Sequence, residues 1–304
     1  MKLDNKNIFC SVSAGYSSVM MAVKIREWYP DHNIIFGMAN TSKEREESLE
    51  FMNECDKYFG LDLVWIEAEF HERGVGVTYN IVDFENLKRN GEIFEAGIKK
   101  FGIPSKANSW CNRDMKKEPM RKFCDDVFGG KGNYSIAIGY RVDEIDRITK
   151  DYKTNDIFYP LIDRKISSRD RNKFWKDQPI QIKIKAYEGN CTKCWKKSNR
   201  KLLTLIDDEK RIEKKLKHLQ KNYEPEWKWW AKMEEKYGSK TIEGKPAYNS
   251  YAENGGMNFY RENRSMLDLV EMAKQPFKRA TDQYIYENDL FDQEGDCGQS
   301  CEAF

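Results

Sequence analysis

Asn7-Ile8-Phe9-Cys10-Ser11-Val12-Ser13-Ala14-Gly15-Tyr16-Ser17-Ser18 is the stretch that decides the fold. Its first six residues are mostly apolar and read as a short buried strand. Ser13-Ala14-Gly15 is a small-residue turn. From Ser17 to Trp28 the apolar residues Val19, Met20, Val23 and Ile25 mark a helix. Strand, tight turn and helix together open a βαβ unit. Small side chains let backbone N–H groups approach a ligand, and the helix N-terminus adds positive partial charge. The turn therefore suits an anion, although the same residues also serve as an ordinary turn with a serine N-cap. It is not a Walker A loop, which needs Gly-Lys-Ser/Thr after its glycines.

Outward from that unit the alternation continues. Residues 33–38 (NIIFGM) read as a second strand, 44–59 as an amphipathic helix and 61–66 (LDLVWI) as a third strand. A helix over 115–127 precedes a fourth strand at 134–138 (YSIAI). The expected fold is α/β, a doubly wound parallel sheet, with helices on both faces and strand carboxyl ends on one edge. Beyond about residue 164 strand signals fade. Helices are expected over 168–175, 202–221 and 227–237, punctuated by Pro225, Pro246 and Gly255-Gly256. The organisation expected is an α/β nucleotide-binding domain over 1–165, a helical and loop-rich region over 166–288, and an acidic cysteine-containing tail over 289–304.

Composition narrows the class. The chain has 304 residues, 39% hydrophobic, 34% charged and 13% aromatic. Its mean hydropathy is −0.83. Enough chain exists to bury a core, and the aromatic content argues against wholesale disorder. Lys and Arg number 52 against 50 Asp and Glu, so no global field draws in polyanions. Basic residues gather between Lys183 and Lys217, and acids in the last segment. No apolar run reaches bilayer length and no secretory leader opens the chain. A cytoplasmic protein without a membrane partner is the expectation. Eight cysteines are too few for a disulfide scaffold and point to metal or thiol chemistry.

Several segments in register carry a resemblance. Ser13-Ala14-Gly15-Tyr16-Ser17-Ser18 resembles the SGGxDS pyrophosphate loop of PP-loop ATP pyrophosphatases and phosphoadenylylsulfate (PAPS) reductases. Ala14 replaces its first glycine and Ser17 its aspartate. Residues 36–44, containing Asn40 and Thr41, resemble the family's second-strand segment. Ile138-Gly139-Tyr140-Arg141-Val142-Asp143-Glu144-Ile145-Asp146-Arg147 resembles its G-x-R-x-D-E-x-x-R segment. Tyr159-Pro160-Leu161-Ile162-Asp163 resembles the Pro-Leu-x-Asp that follows. The chain is thus identified, over about its first two-thirds, as similar to the PAPS reductase-like family, with an adenine nucleotide alpha-hydrolase-like fold. The resemblance implies that Ser11, Ser13, Ala14, Gly15, Tyr16, Ser17, Ser18, Asn40, Thr41, Gly139, Arg141, Asp143, Glu144 and Arg147 bind nucleotide. Independently of any family, Arg141 and Arg147 follow the fourth strand at the loop's edge, and guanidinium forks suit phosphate or sulfate. Asp143 and Glu144 suit a cation, an arginine to be oriented, or a plain salt bridge.

Cys191-Thr192-Lys193-Cys194 is a C-x-x-C outside any thioredoxin-like context. With Cys111 it resembles the cysteine spacing of adenylylsulfate reductases, except that Asn112 stands where a second cysteine would be. That resemblance implies a [4Fe–4S] cluster or zinc on Cys111, Cys191 and Cys194, with Cys124, Cys297 or Cys301 as a further thiol. Cys10 and Cys55 read as core residues. Asp296-Cys297-Gly298 resembles the start of the Glu-Cys-Gly-Leu-His terminus whose cysteine is the family's nucleophile, which makes Cys297 the candidate catalytic thiol.

Two enzyme chemistries follow from the resemblance: thiol-dependent reduction of adenylyl sulfate or PAPS with an external thiol reductant, or ATP- and Mg²⁺-dependent sulfur transfer to a nucleic acid. The contrasting reading is a zinc-containing nucleotide- or nucleic-acid-binding protein without catalysis, its basic aromatic stretch near Lys193–Lys201 touching phosphates and bases.

Overall fold

The strand–turn–helix beginning does grow into a mostly parallel sheet. The computed structural model describes residues 5–72, 74–106, 108–148, 152–189, 191–238 and 258–281. The strands are β1 (Asn7–Ser11), β2 (Asn33–Asn40), β3 (Val64–Phe70), β4 (Val77–Val82), β5 (Ser135–Ala137) and β6 (Ile157–Phe158). They form one sheet in the order β4-β3-β2-β1-β5-β6. All pairings are parallel except β3 with β4. The helices are α1 (Tyr16–Trp28), α2 (Glu46–Phe59), α3 (Glu92–Phe101), α4 (Trp110–Asn112), α5 (Glu118–Phe128), α6 (Pro160–Asp163), α7 (Ser168–Lys176), α8 (Asn199–His218), α9 (Glu226–Tyr237) and α10 (Met266–Met272).

The chain divides into two compact units. One comprises Met1–Ile93 and Asn112–Ile184, the other Phe94–Cys111 and Lys185–Gly298. The sheet unit therefore extends past residue 165 and gives up the segment around α4, which carries Cys111.

Strand alternation sorts the sheet unit's core onto two faces. Ile8 and Cys10 of β1 point to one face, where they join Phe36, Val19, Met21 and Ile25 of α1, Leu49, Met52 and Cys55 of α2, and Trp175 of α7. Phe9 points to the other, with Ile66, Ile136 and Met120, Phe123, Cys124 and Phe128 of α5. Gly37 of β2 is fixed by Phe9: a Cβ there would stand 2.5 Å from the Phe9 ring. Each fully buried aliphatic or aromatic side chain of this kind contributes roughly 1.5–3 kcal/mol.

Two strands escape the sequence reading. β4 returns antiparallel onto β3, and its segment mixes Thr78, Asn80 and Ile81 outward on an edge. β6 has only two residues. The third strand begins at Val64 rather than Leu61, because α2 ends in the left-handed Gly60 (φ 60°) and Asp62 is also left-handed (φ 57°).

In the second unit, aromatic rings replace the sheet. Trp230 of α9 is fully buried and lies 5.1 Å from Phe94 and 4.9 Å from Phe259, centroid to centroid. Helix starts are written in the sequence: Ser198 caps α8 and Ser265 caps α10 through a box with Asp268.

Candidate functional site

The sheet order places a topological switch at β1. The chain runs from β1 to β2 and β3 on one side, then returns to β5 and β6 on the other. Connections after β1 and β5 consequently run to opposite sides, the topology at whose strand carboxyl ends open α/β sheets bind ligands. The loop after β1 is tied by Ser18, only 1% exposed. Its Oγ accepts from Ser13 N at 3.0 Å and donates to Ser11 O at 3.4 Å. Gly15 takes the N-cap position of α1 in extended conformation without a side-chain cap, and no acid sits in the first turn. Among the described residues no side chain caps this helix N-terminus, the kind of end that favours anions.

Gly139 and Arg141 come from the connection after β5. A Cβ on Gly139 would stand 2.8 Å from Ser18 Cα and 3.1 Å from Ser18 N, so two backbones touch there. Arg141 is 8% exposed, and its Nη1 donates to Ser17 Oγ. Its Nη2 donates to Asp143 Oδ2 at 2.9 Å, and Glu144 Oε2 lies 3.0 Å from Nη1. Asp143 Oδ1 also accepts from Ser168 N of α7 at 2.9 Å. Burial pushes the Asp143 carboxyl up, but hydrogen bonding and charge from Arg141 outweigh it and hold the group below its usual range. Asp143 and Glu144 thus act here as counter-charges that aim Arg141.

Arg147 pairs with Glu144 and lies 4.1 Å above the Tyr140 ring, which stacks on Tyr159 at 5.5 Å. Its Nη2 is buried without a hydrogen-bond partner among the described residues. A buried N–H left unsatisfied is costly, so this guanidinium keeps an unused donor.

The other residues expected at the nucleotide make contacts within the protein. The Tyr16 ring stacks on Trp175 at 4.5 Å, and its hydroxyl donates to Gln181 Oε1 at 2.8 Å and accepts from Ile182 N at 3.2 Å. Ala14 packs against the core beneath α1. Asn40 is fully buried: Nδ2 donates to Glu67 Oε1 at 2.7 Å and Lys88 O at 2.8 Å, while Oδ1 accepts from Ser42 N at 3.0 Å. Thr41 donates through N and Oγ1 to Glu44 at 2.9 and 2.7 Å. The side chains of Tyr16, Asn40 and Thr41 thus also hold the loops together.

Sequence reading missed Glu67 and Lys43. Glu67 is fully buried in β3 and accepts from Lys88 N and Nζ, both at 2.8 Å. A lone acid amid Val64-Trp65-Ile66 and Ala68 was the available signal. Lys43, 3% exposed, lies in the connection after β2 at the same carboxyl edge.

The thiols sort by unit. Cys10, Cys55 and Cys124 lie in the sheet unit, all fully buried. Burial raises Cys55 to about 12 and Cys124 higher still, and Cys124 packs in the core cluster with Phe123 and Phe128. Cys111, Cys191 and Cys194 share the second unit. Cys194 N donates to Cys191 O at 3.2 Å, closing the C-x-x-C into a turn with each cysteine 6% exposed. Between them, Lys193 is fully buried and paired with Glu209 of α8, whose other oxygen accepts from Trp227 N at 3.2 Å. Thr192 Oγ1 donates to Glu226 at 3.1 Å and accepts from Trp230 Nε1 at 3.3 Å. Lys197 reaches back to the carbonyls of Tyr187, at 3.3 Å, and Gly189. Among the described residues no three of His, Cys, Asp or Glu form a metal-binding group. Cys297 and Cys301 lie outside the described residues.

The chain matches no protein-family model. It is 25% identical over 269 residues to the uncharacterized nin region protein ORF290 of Escherichia phage lambda, covering 87% of this chain and 83% of that one. It is 22% identical over 124 residues to an uncharacterized protein of Methanocaldococcus jannaschii, covering 40% of this chain and 21% of that protein. No helix among the described residues is long and apolar enough to cross a membrane.

Proposed function

We propose that this chain is an adenine-nucleotide-using enzyme of the PAPS reductase-like kind, acting at sulfur. The observation that carries the reading is the union of two segments 124 residues apart: Arg141 on Ser17, with Gly139 against the same turn. An uncapped helix N-terminus, one guanidinium held by two carboxylates and another with an unsatisfied N–H make a binding place for a phosphate or sulfate group. Its position at the β1 switch suits a nucleotide lying across the strand ends. An adenine nucleotide alpha-hydrolase-like sheet belongs to the same proposal.

In the chemistry proposed, the Cys297 thiolate attacks the sulfonyl sulfur of bound adenylyl sulfate. An S–S bond forms and the S–O bond to the phosphate breaks, which releases the adenine nucleotide. A second thiol then attacks the cysteine sulfur, sulfite leaves, and a disulfide remains for an external dithiol to reduce. Cys191, Cys194 and Cys111 are the proposed thiol or metal centre of the second unit. Metal analysis of anaerobically purified protein decides between iron–sulfur, zinc and a plain dithiol.

Titration calorimetry with ATP, adenylyl sulfate and PAPS tests the core of this reading. Arg141→Ala is expected to weaken the bound nucleotide by about 2 kcal/mol, the loss of one charge-assisted contact. Failure of all three nucleotides to bind the wild-type chain overturns the proposal, and unchanged affinity in the variant removes Arg141 from the site.

A further inference from the structure

The second half of α8 and the three residues past it carry the strongest charge anomaly among the described residues. From Lys210 to Lys221 the sequence places six Lys and Arg against one acid, Glu213. Glu213 is taken by Lys228 at 3.1 Å, and Arg211 pairs with Asp207 at 3.0 Å. Lys214, Lys215, Lys217 and Lys221 are exposed, and none makes an ion pair or side-chain hydrogen bond among the described residues. Helical spacing puts Arg211, Lys214, Lys215 and His218 on one face, opposite the buried Leu202, Ile206 and Glu209.

This arrangement works against the helix. Lys210 with Lys214, Arg211 with Lys215 and Lys214 with Lys217 are like-charge neighbours three or four residues apart, each mildly destabilising. Other helices here use the opposite device: Lys24 faces Glu27, and Lys274 faces Glu271. The helix dipole accounts for cations in the last turn, Lys215, Lys217 and His218. It does not account for Arg211 and Lys214 before that turn, nor for Lys221 beyond it. A repeating anion along this face removes the repulsion and releases its own counterions on binding.

We propose that the exposed lysines of the second half of α8, with Lys221 beyond it, bind the phosphate backbone of a nucleic acid, through contacts that do not read sequence. No residue of the proposed nucleotide site belongs to this surface, so the inference stands apart from the proposed enzyme activity. Exposed Ile212 and Leu219 flank the basic row and give an unstacked base an apolar neighbour.

Fluorescence anisotropy with labelled single- and double-stranded oligonucleotides across a salt series tests it. The full chain is compared with Lys214→Glu/Lys215→Glu/Lys217→Glu/Lys221→Glu, a variant altered only at exposed positions and checked for helicity by circular dichroism. Wild-type binding is expected to fall log-linearly with salt; the variant should bind at least about tenfold more weakly, with the slope reduced by roughly three to four. Arg141→Ala should bind polynucleotide as the wild type does, which separates failure of this inference from failure of the nucleotide site. No wild-type binding at about 50 mM salt, undiminished binding by the reversed variant, or equal competition by polyglutamate at matched charge overturns the nucleic-acid assignment.

Discussion

Gly139 and Ser18 touch backbone to backbone: a Cβ on Gly139 would lie 2.8 Å from Ser18 Cα. The contact locks the connection after β5 onto the first turn of α1, whose start carries no side-chain cap. Neither partner in that collision is a flexible side-chain tip, so a methyl group there forces main chain to move.

Gly139→Ala should therefore lower stability by about 1–3 kcal/mol, the usual cost of overpacking. It should weaken adenine-nucleotide binding as well, because Arg141 and Ser17 separate with the loops. Urea unfolding and titration calorimetry read the two effects. A variant as stable and as tightly binding as the wild type would remove the contact from any role in the site.

Glu67 gathers Asn40 Nδ2, Lys88 N and Lys88 Nζ around one fully buried carboxylate. Glu67→Ala strands a buried amide donor and a backbone N–H together, and about 3 kcal/mol of destabilisation is expected. Glu67→Gln should cost less, since one carbonyl acceptor survives. Chemical denaturation of both variants checks the order, and Asn40→Ala should resemble Glu67→Ala in losing stability rather than nucleotide preference.

The difference between Asn40 and Arg141 shows where the sequence was legible. Arg141 and Gly139 follow an apolar strand, and their position at the carboxyl edge is dictated by right-handed crossovers, so local pattern sufficed. The employment of Asn40 depends on Glu67 and Lys88, residues brought to it by two further strands and a turn, and no local pattern reports that. Tyr16 is similar: its stacking partner Trp175 lies far along the chain. β4 stayed hidden because an edge strand half open to solvent has no continuous apolar run. Cys111 joined the second unit although it precedes α5, since its neighbour Trp110 packs with Phe94 and Phe101.

Glu234 supplies a pH dependence with a definite sign. Burial raises its carboxyl from the usual 4.5 to about 7, against the opposing pull of Phe259 N and Met266 N, which donate to it at 3.0 and 2.6 Å. The folded state thus holds this proton more tightly than the unfolded chain. Stability from that proton is complete below pH 4.5 and is lost as pH rises through 7, a span worth about 3 kcal/mol. Wild-type protein should unfold at lower urea at pH 8 than at pH 5 by more than Glu234→Gln does. A pH profile identical in the two proteins would rule Glu234 out as the source.

Lys193 of the C-x-x-C turn and Glu209 of α8 form a buried ion pair, and buried pairs are asymmetric in their energetics. Removing one partner leaves an uncompensated charge, which costs roughly 3–5 kcal/mol; replacing both by apolar residues of similar volume is close to neutral. Lys193→Met and Glu209→Leu should each be strongly destabilised, the first also releasing the grip of α8 on the turn. Lys193→Met/Glu209→Leu should recover most of that stability by thermal unfolding. Thiol accessibility to a maleimide then separates packing from turn geometry. If the pair serves only to fill space, the double variant protects Cys191 and Cys194 as the wild type does. If Lys193 holds the turn shut through its bond to Glu209, both thiols label faster in the double variant although the fold has returned.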